Sequence, residues 1–166
     1  GGRGGGGGGG GVAANDTLYG GNDNDSLYGG LGDDSLEGGD GNDTIAGEDG
    51  NDYAVGGLGN DIFYSGTGAD TFFGNDGNDT LVRALGGSLL AYGGGDDDYL
   101  PSVGSATMYG GDGNDTMLVD GTATTGVQYY GEAGNDLVGG GNVNDTLYGG
   151  IGNDILAGNA GDDQVF

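Results

Sequence analysis

The residues best suited to chemistry in this chain are aspartates set among glycines. Asp16, Asp25, Asp34, Asp43, Asp52, Asp61, Asp70 and Asp79 follow one another nine residues apart. The same count runs on through Ser88, Asp97, Ala106 and Asp115. It then slips by three residues and resumes at Val127, Asp136, Asp145, Asp154 and Asp163. Against these carboxylates the chain sets only Arg3 and Arg83, with no lysine or histidine, and its formal net charge is -25. Evenly spaced carboxylates without cationic partners raise the question of what balances their charge. They do not suit acid–base or nucleophilic catalysis. A Ser or Thr nucleophile would have no recognisable base beside it, and the chain reads as a non-enzyme. Zinc is disfavoured because His and Cys are absent.

The elements that must position these carboxylates follow from a second period. Two residues after each anchor stands a mostly apolar residue, from Leu18, Leu27 and Leu36 through Phe72, Leu81, Leu90, Tyr99 and Met108 to Val165. One inward side chain per nine residues cannot make a helix face, which needs three or four in two turns. It suits a three-residue strand with its middle residue inward. The remaining six residues, of the type Gly-Gly-x-Gly-Asn-Asp, are then turn. With 48 glycines the composition alone would suggest disorder, but the regular spacing argues for an ordered repeat.

Gly38-Gly39-Asp40-Gly41-Asn42-Asp43-Thr44-Ile45-Ala46 and Gly110-Gly111-Asp112-Gly113-Asn114-Asp115-Thr116-Met117-Leu118 carry this pattern in full. The units resemble the RTX nonapeptide, Gly-Gly-x-Gly-x-Asp-x-U-x with U large and apolar, a calcium-binding parallel β-helix repeat. The resemblance implies an all-β fold: a right-handed parallel β-roll, or β-helix solenoid, with two nonapeptides per coil and calcium ions between stacked turns. It also implies that each ion takes one Asp carboxylate and two backbone carbonyls from each of two turns. The metal ligands it assigns are Asp16, Asp25, Asp34, Asp43, Asp52, Asp61, Asp70, Asp79, Asp97, Asp115, Asp136, Asp145, Asp154 and Asp163. A lone Asn-Asp-Gly cluster is only a solvated turn, but turns alone impose no common period. An EF-hand would need flanking helices, for which the chain has too much glycine.

Two units per coil place alternate anchors on opposite sides. One side carries Asp25, Asp43, Asp61, Asp79, Asp97, Asp115, Asp136 and Asp154 without a gap. The other carries Asp16, Asp34, Asp52 and Asp70, then Ser88, Ala106 and Val127, then Asp145 and Asp163. Adjacent Asp pairs on the two sides imply roughly eleven calcium ions, enough to offset most of the negative charge. The expected organisation is a glycine-rich N-terminal segment over 1–14 and a repeat domain over 15–166. Within that domain lie a degenerate patch around 83–106 and a three-residue insertion within 119–126. The patch is either a drifted stretch or a calcium-free shelf for a partner. On the same side, the outward column Tyr19, Glu37, Val55, Phe73, Ala91, Tyr109, Tyr130, Tyr148 and Phe166 is rich in aromatics. It is expected to serve a structural role or a lateral contact with another chain or a cell-surface glycan.

The charge excludes nucleic acid as a partner and disfavours anionic membranes. No apolar run is long enough to span a bilayer. With neither an initiator Met nor a signal-peptide pattern, the chain is expected to be mature, processed or a fragment. Its thin core cannot repay the ordering of so many glycines, so the chain is expected to fold only with calcium. Millimolar sites would keep it unfolded in the cytosol and fold it after export. The resemblance implies type I secretion from a Gram-negative bacterium and a secreted, extracellular or cell-surface location. Two functions fit. One is a structural protein that self-assembles head to tail or laterally into a fibre, surface layer or adhesive structure, because Val165 and Phe166 end on a strand triplet. The other is the secretion and folding module of a secreted hydrolase, epimerase or toxin. For that module, Asp163-Gln164-Val165-Phe166 faintly resembles an acidic-then-apolar secretion ending, although it is also simply the next repeat. Ice binding fails because Thr44, Thr80 and Thr116 alternate with Ile62 and Asp98.

Overall fold

The structure is a computed structural model that describes residues 14–82, 87–119 and 123–166. Arg3, Arg83 and almost all of the glycine-rich opening segment lie outside the described residues, as do parts of the degenerate patch and the insertion. The described chain is all strand, wound into a β-solenoid of about eight coils.

Alternate strands form two parallel sheets. The nine-stranded sheet takes β1 (Thr17–Asn22), β3 (Ser35–Asp40), β5 (Tyr53–Leu58), β7 (Asp70–Asp76), β9 (Leu89–Gly95), β11 (Ala106–Asp112), β13 (Gln128–Ala133), β15 (Thr146–Ile151) and β17 (Gln164–Val165) in that order. The eight-stranded sheet takes β2 (Ser26–Leu31), β4 (Thr44–Asp49), β6 (Ile62–Tyr64), β8 (Thr80–Val82), β10 (Tyr99–Ser102), β12 (Thr116–Val119), β14 (Leu137–Gly139) and β16 (Ile155–Ala157). Each strand pairs with the strand one coil away, as in Leu27 with Ile45 and Leu36 with Ala54. The middle residues of the triplets point between the sheets. Leu27, Leu36, Ile45, Phe63, Phe72, Leu81, Met108, Met117, Tyr129, Val138 and Leu147 are buried there. Burial of this file, at about 25 cal/mol per Å² of apolar surface, supplies the fold's apolar stabilisation.

Two details differ from the sequence reading. Strands often run on through the Gly-Gly-x segment, so Gly21 pairs with Gly39 and Asn22 with Asp40. The segment read as pure turn is therefore partly ladder. Its second residue takes the left-handed region, φ 112° at Gly39, where only Gly is free of strain and Asn is the best-tolerated substitute. Asn75 fills that place in β7 at φ 77°.

The second difference is register. Asp70 pairs with Leu89 and Phe72 with Ala91, whereas Leu89 pairs with Ala106. One residue is inserted before Leu89 and one is lost before Ala106. Ala91 and Leu100, rather than Leu90 and Tyr99, are therefore the buried core residues of these units. Tyr92, rather than Ala91, joins the outward column. The shift completes a stack of rings. Phe73, Tyr92, Tyr109, Tyr130, Tyr148 and Phe166 lie 4.6–4.8 Å apart in sequence, with interplanar angles of 3–10°.

Candidate metal centre

Asp43 shows how the repeat is built. It precedes β4, almost completely buried. Its Oδ1 accepts the backbone N–H of Asp25 at 2.7 Å, one coil before it. Its own N–H donates to Oδ1 of Asp61 at 2.7 Å, one coil after it. The carboxylates thus splice successive coils through one oxygen each. The second oxygen, Oδ2, is buried with no hydrogen-bond partner, and the same holds for Asp25, Asp34, Asp52, Asp61, Asp79, Asp98, Asp115 and Asp136.

Leaving a carboxylate oxygen buried and unpaired costs free energy, so a ligand is the physical explanation to test. The cradle around each oxygen is shaped by glycine. A Cβ on Gly38 would collide with Asp43 Oδ2 and with the carbonyl of Gly56 one coil on. The same trio recurs as Gly29, Asp34 and Gly47, and as Gly110, Asp115 and Gly131. A carboxylate oxygen and a backbone carbonyl of the next coil therefore face one small space that only glycine leaves open. Among the described residues no three His, Cys, Asp or Glu side chains converge as a cluster. An ion here would be held by stacked carboxylates together with main-chain carbonyls. All these donors are hard oxygens, and they fit calcium.

The electrostatics point the same way. Burial, together with neighbouring carboxylates, raises Asp52, Asp61 and Asp115 to about 6, Asp79 to about 7 and Asp98 to about 8, against the backbone hydrogen bonds that lower them. Asp43, Asp70 and Asp136 are also raised, with burial the largest cause. Without positive charge nearby, these groups are costly to ionise where they stand.

The structure gathers the expected aspartates into two columns, with one correction. Asp98, not Asp97, stands in the unbroken column, accepting from Asp79 N–H at 2.8 Å and donating to Asp115 at 2.9 Å. Asp97 is exposed and belongs to a second ladder that the sequence reading missed. Asn42 Oδ1 accepts from Asn60 N–H at 3.0 Å, and Asn24, Asn60, Asn78, Asn114 and Asn135 repeat the contact. Asp97 occupies one rung, accepting from Asn114 N–H and Nδ2, and those two bonds lower its pKa. The Asn ladder accepts from the following coil and the Asp ladder from the preceding one. The Asn in nearly every Asn-Asp pair was the available signal.

On the other column Asp16, Asp34, Asp52 and Asp70 are linked by the same Oδ1 contacts, as are Asp145 and Asp163. Between them stand Leu89, Ala106 and Val127, with Leu89 replacing the expected Ser88 because of the inserted residue. Here backbone carbonyls take over the splice. Asp70 N–H donates to Ser88 O and Leu89 N–H to Ser105 O, both at 3.0 Å. Beyond the gap, Asp145 accepts Val127 N–H on Oδ1 and Gly141 N–H on Oδ2, so both of its oxygens are in use. Ser102 and the buried Tyr129 hydroxyl hydrogen-bond to each other inside this stretch.

Among the described residues no helix is long and apolar enough to cross a membrane. Comparison with known proteins finds the RTX calcium-binding nonapeptide repeat in four copies, over residues 10–45, 46–81, 104–121 and 130–165. The stretch left unmatched between 81 and 104 contains the insertion before Leu89. No curated protein matches the chain.

Proposed function

Because the chain belongs to the RTX calcium-binding nonapeptide-repeat family, whose members are typically secreted bacterial proteins, we propose that it is an extracellular structural rod whose folding is conditional on calcium. The observation that carries this reading is the row of buried, unpartnered carboxylate oxygens in a chain of net charge -25. Bound calcium supplies the positive charge and oxygen coordination that this row lacks. Asp25, Asp43, Asp61, Asp79, Asp98, Asp115, Asp136 and Asp154 serve one edge. Asp16, Asp34, Asp52 and Asp70, with Asp145 and Asp163, serve the other. Adjacent pairs along both edges make room for about eleven ions. Asp Oδ1 holds coil to coil, Asp Oδ2 (which at Asp145 also accepts the Gly141 N–H) and the glycine carbonyls face the ion, and the apolar file excludes water between the sheets.

The physical logic is linkage: whatever binds only the folded chain stabilises it by mass action. At submicromolar calcium the carboxylates repel and the chain stays expanded. At extracellular millimolar calcium it folds. No residue in this scheme is asked to break or form a covalent bond, and the protein acts as a scaffold. Circular dichroism in excess chelator and in millimolar calcium tests the proposal. A disordered spectrum that becomes strand-rich on adding calcium is expected, and a strand-rich spectrum in chelator at neutral pH would overturn it.

A further inference from the structure

We infer that the outer face of the eight-stranded sheet is the surface on which a second copy of this chain docks. The inference rests on the reading of the protein as a calcium-folded rod and adds the face through which rods meet. None of the residues that point outward from the strand triplets of this sheet carries a charge, in a chain with 27 acidic residues. Tyr28, Ile62, Tyr64, Tyr99, Leu137 and Ile155 are exposed on it, between 38 % and 65 %. Between these ridges lie two hollows. One of about 450 Å³ sits over Val82, Pro101 and Leu118. Another of about 380 Å³ sits over Ala46, with Glu48 at its turn-side rim.

The outer face of the nine-stranded sheet is different. From Phe73 to Phe166 its aromatic rings are stacked on one another, so their faces are already covered, and Glu37 stands in the same column as the exposed Tyr19. The turn edges hold the carboxylates. The sheet face is thus the approach along which another equally acidic rod meets the least like charge, with Glu48 at the rim of one hollow and none on the strand triplets. A second copy is also the partner whose surface repeats at the same strand spacing, about 4.8 Å per coil, so ridges and hollows recur in step along both rods. Eight strands of that spacing and a triplet width of about 10 Å give roughly 1,000 Å² of total buried surface once side-chain relief is included. That lies at the low end for specific interfaces, so the pairing is reversible and concentration-dependent rather than permanent.

Sedimentation velocity in millimolar calcium chloride, with circular dichroism on the same samples, tests the inference. The weight-average mass is expected to climb from monomer towards dimer across the micromolar range. Leu137→Asp and Ile155→Asp, both at exposed positions, should each weaken association at least tenfold with the strand spectrum retained. Thr107→Asp, on the opposite sheet, should leave association unchanged. A folded chain that stays monomeric at every concentration overturns the inference while leaving calcium-dependent folding intact, and so does undiminished pairing in both variants. A folded monomer that instead floats with neutral phosphatidylcholine vesicles assigns the face to lipid and also overturns it. A chain without strand signal in calcium overturns the rod reading and the docking face together.

Discussion

The two turn edges of the rod are built from the same repeat yet hold their coils in different ways. Along the complete edge each aspartate from Asp43 onward does two jobs: Oδ1 accepts the N–H of the preceding coil, and Oδ2 faces the glycine cradle. Along the interrupted edge, between Asp70 and Asp145, the first job passes to the carbonyls of Ser88 and Ser105 and the second has no counterpart. Strand pairing nevertheless continues through these coils without a break. Stacking coils therefore does not require the carboxylate, whereas the glycine cradle facing an Asp Oδ2 does. The splice and the proposed ion site are separable functions of one side chain.

The strongest challenge to this comparison removes the ion and supplies protons instead. In chelator, the raised carboxyls favour the folded chain only while protonated. Their contribution is complete below the unfolded value of about 3.8 and is lost as pH rises through about 6 for Asp61 and Asp115, about 7 for Asp79 and about 8 for Asp98. Acidification of the calcium-free protein from pH 8 towards 4 should therefore recover strand signal. A flat response over that range would show that the burial of these groups is not what opposes folding.

A sharper cut compares single residues on the two edges. Asp43→Ala removes both jobs at once, stranding the Asp25 N–H, at about 1–3 kcal/mol, as well as about two of the ion positions. Leu89→Ala should leave the calcium stoichiometry unchanged. Isothermal titration and denaturant midpoints in calcium read both outcomes, and equal calcium counts in the two variants would erase the distinction between the edges. Smaller effects come from the cradle. Gly38→Ala should cost about 1–3 kcal/mol through overpacking against Asp43 Oδ2 and Gly56 O. Gly104→Ala, whose new atom would meet nothing nearer than Gly87 O at 3.8 Å, should be tolerated. The smallest effect belongs to Asp97→Asn, which restores the side chain of the neighbouring rungs. A change within about 0.5 kcal/mol and an unaltered calcium count are expected, and loss of an ion would return Asp97 to the metal column.

Much of this was legible in the sequence because a period of nine constrains everything at once: the core residue, the turn and the carboxylate. The family, the solenoid and the side on which anchors are missing all follow from it. The period and the observed register part where two irregularities cancel. The step from Asp79 to Asp98 is 19 residues and the step from Asp98 to Asp115 is 17, so counting by nine passes through both without a visible fault. Three consecutive aspartates, Asp96 to Asp98, made the wrong rung available. Gly93-Gly94 five and four residues before Asp98, and Leu100 as the aliphatic residue two after it, carried the correct register. The Asn ladder was hidden for another reason: asparagine beside glycine already has a sufficient local explanation as a turn former. Its bond to the following coil appears only when coils are stacked.

The ring stack begins at Phe73, in the strand that opens with Asp70, the last carboxylate before the gap, and passes over the register slip and the insertion with its spacing held at 4.7–4.8 Å. A column of near-parallel chromophores at that distance couples their transition dipoles. The stretch of the rod from Phe73 to Phe166 therefore carries its own optical reporter. Near-ultraviolet dichroism follows this stack, which spans the coils where one edge lacks carboxylates, while the far-ultraviolet band follows the rod as a whole, so one spectrometer can tell whether that stretch and the rest assemble together or in turn.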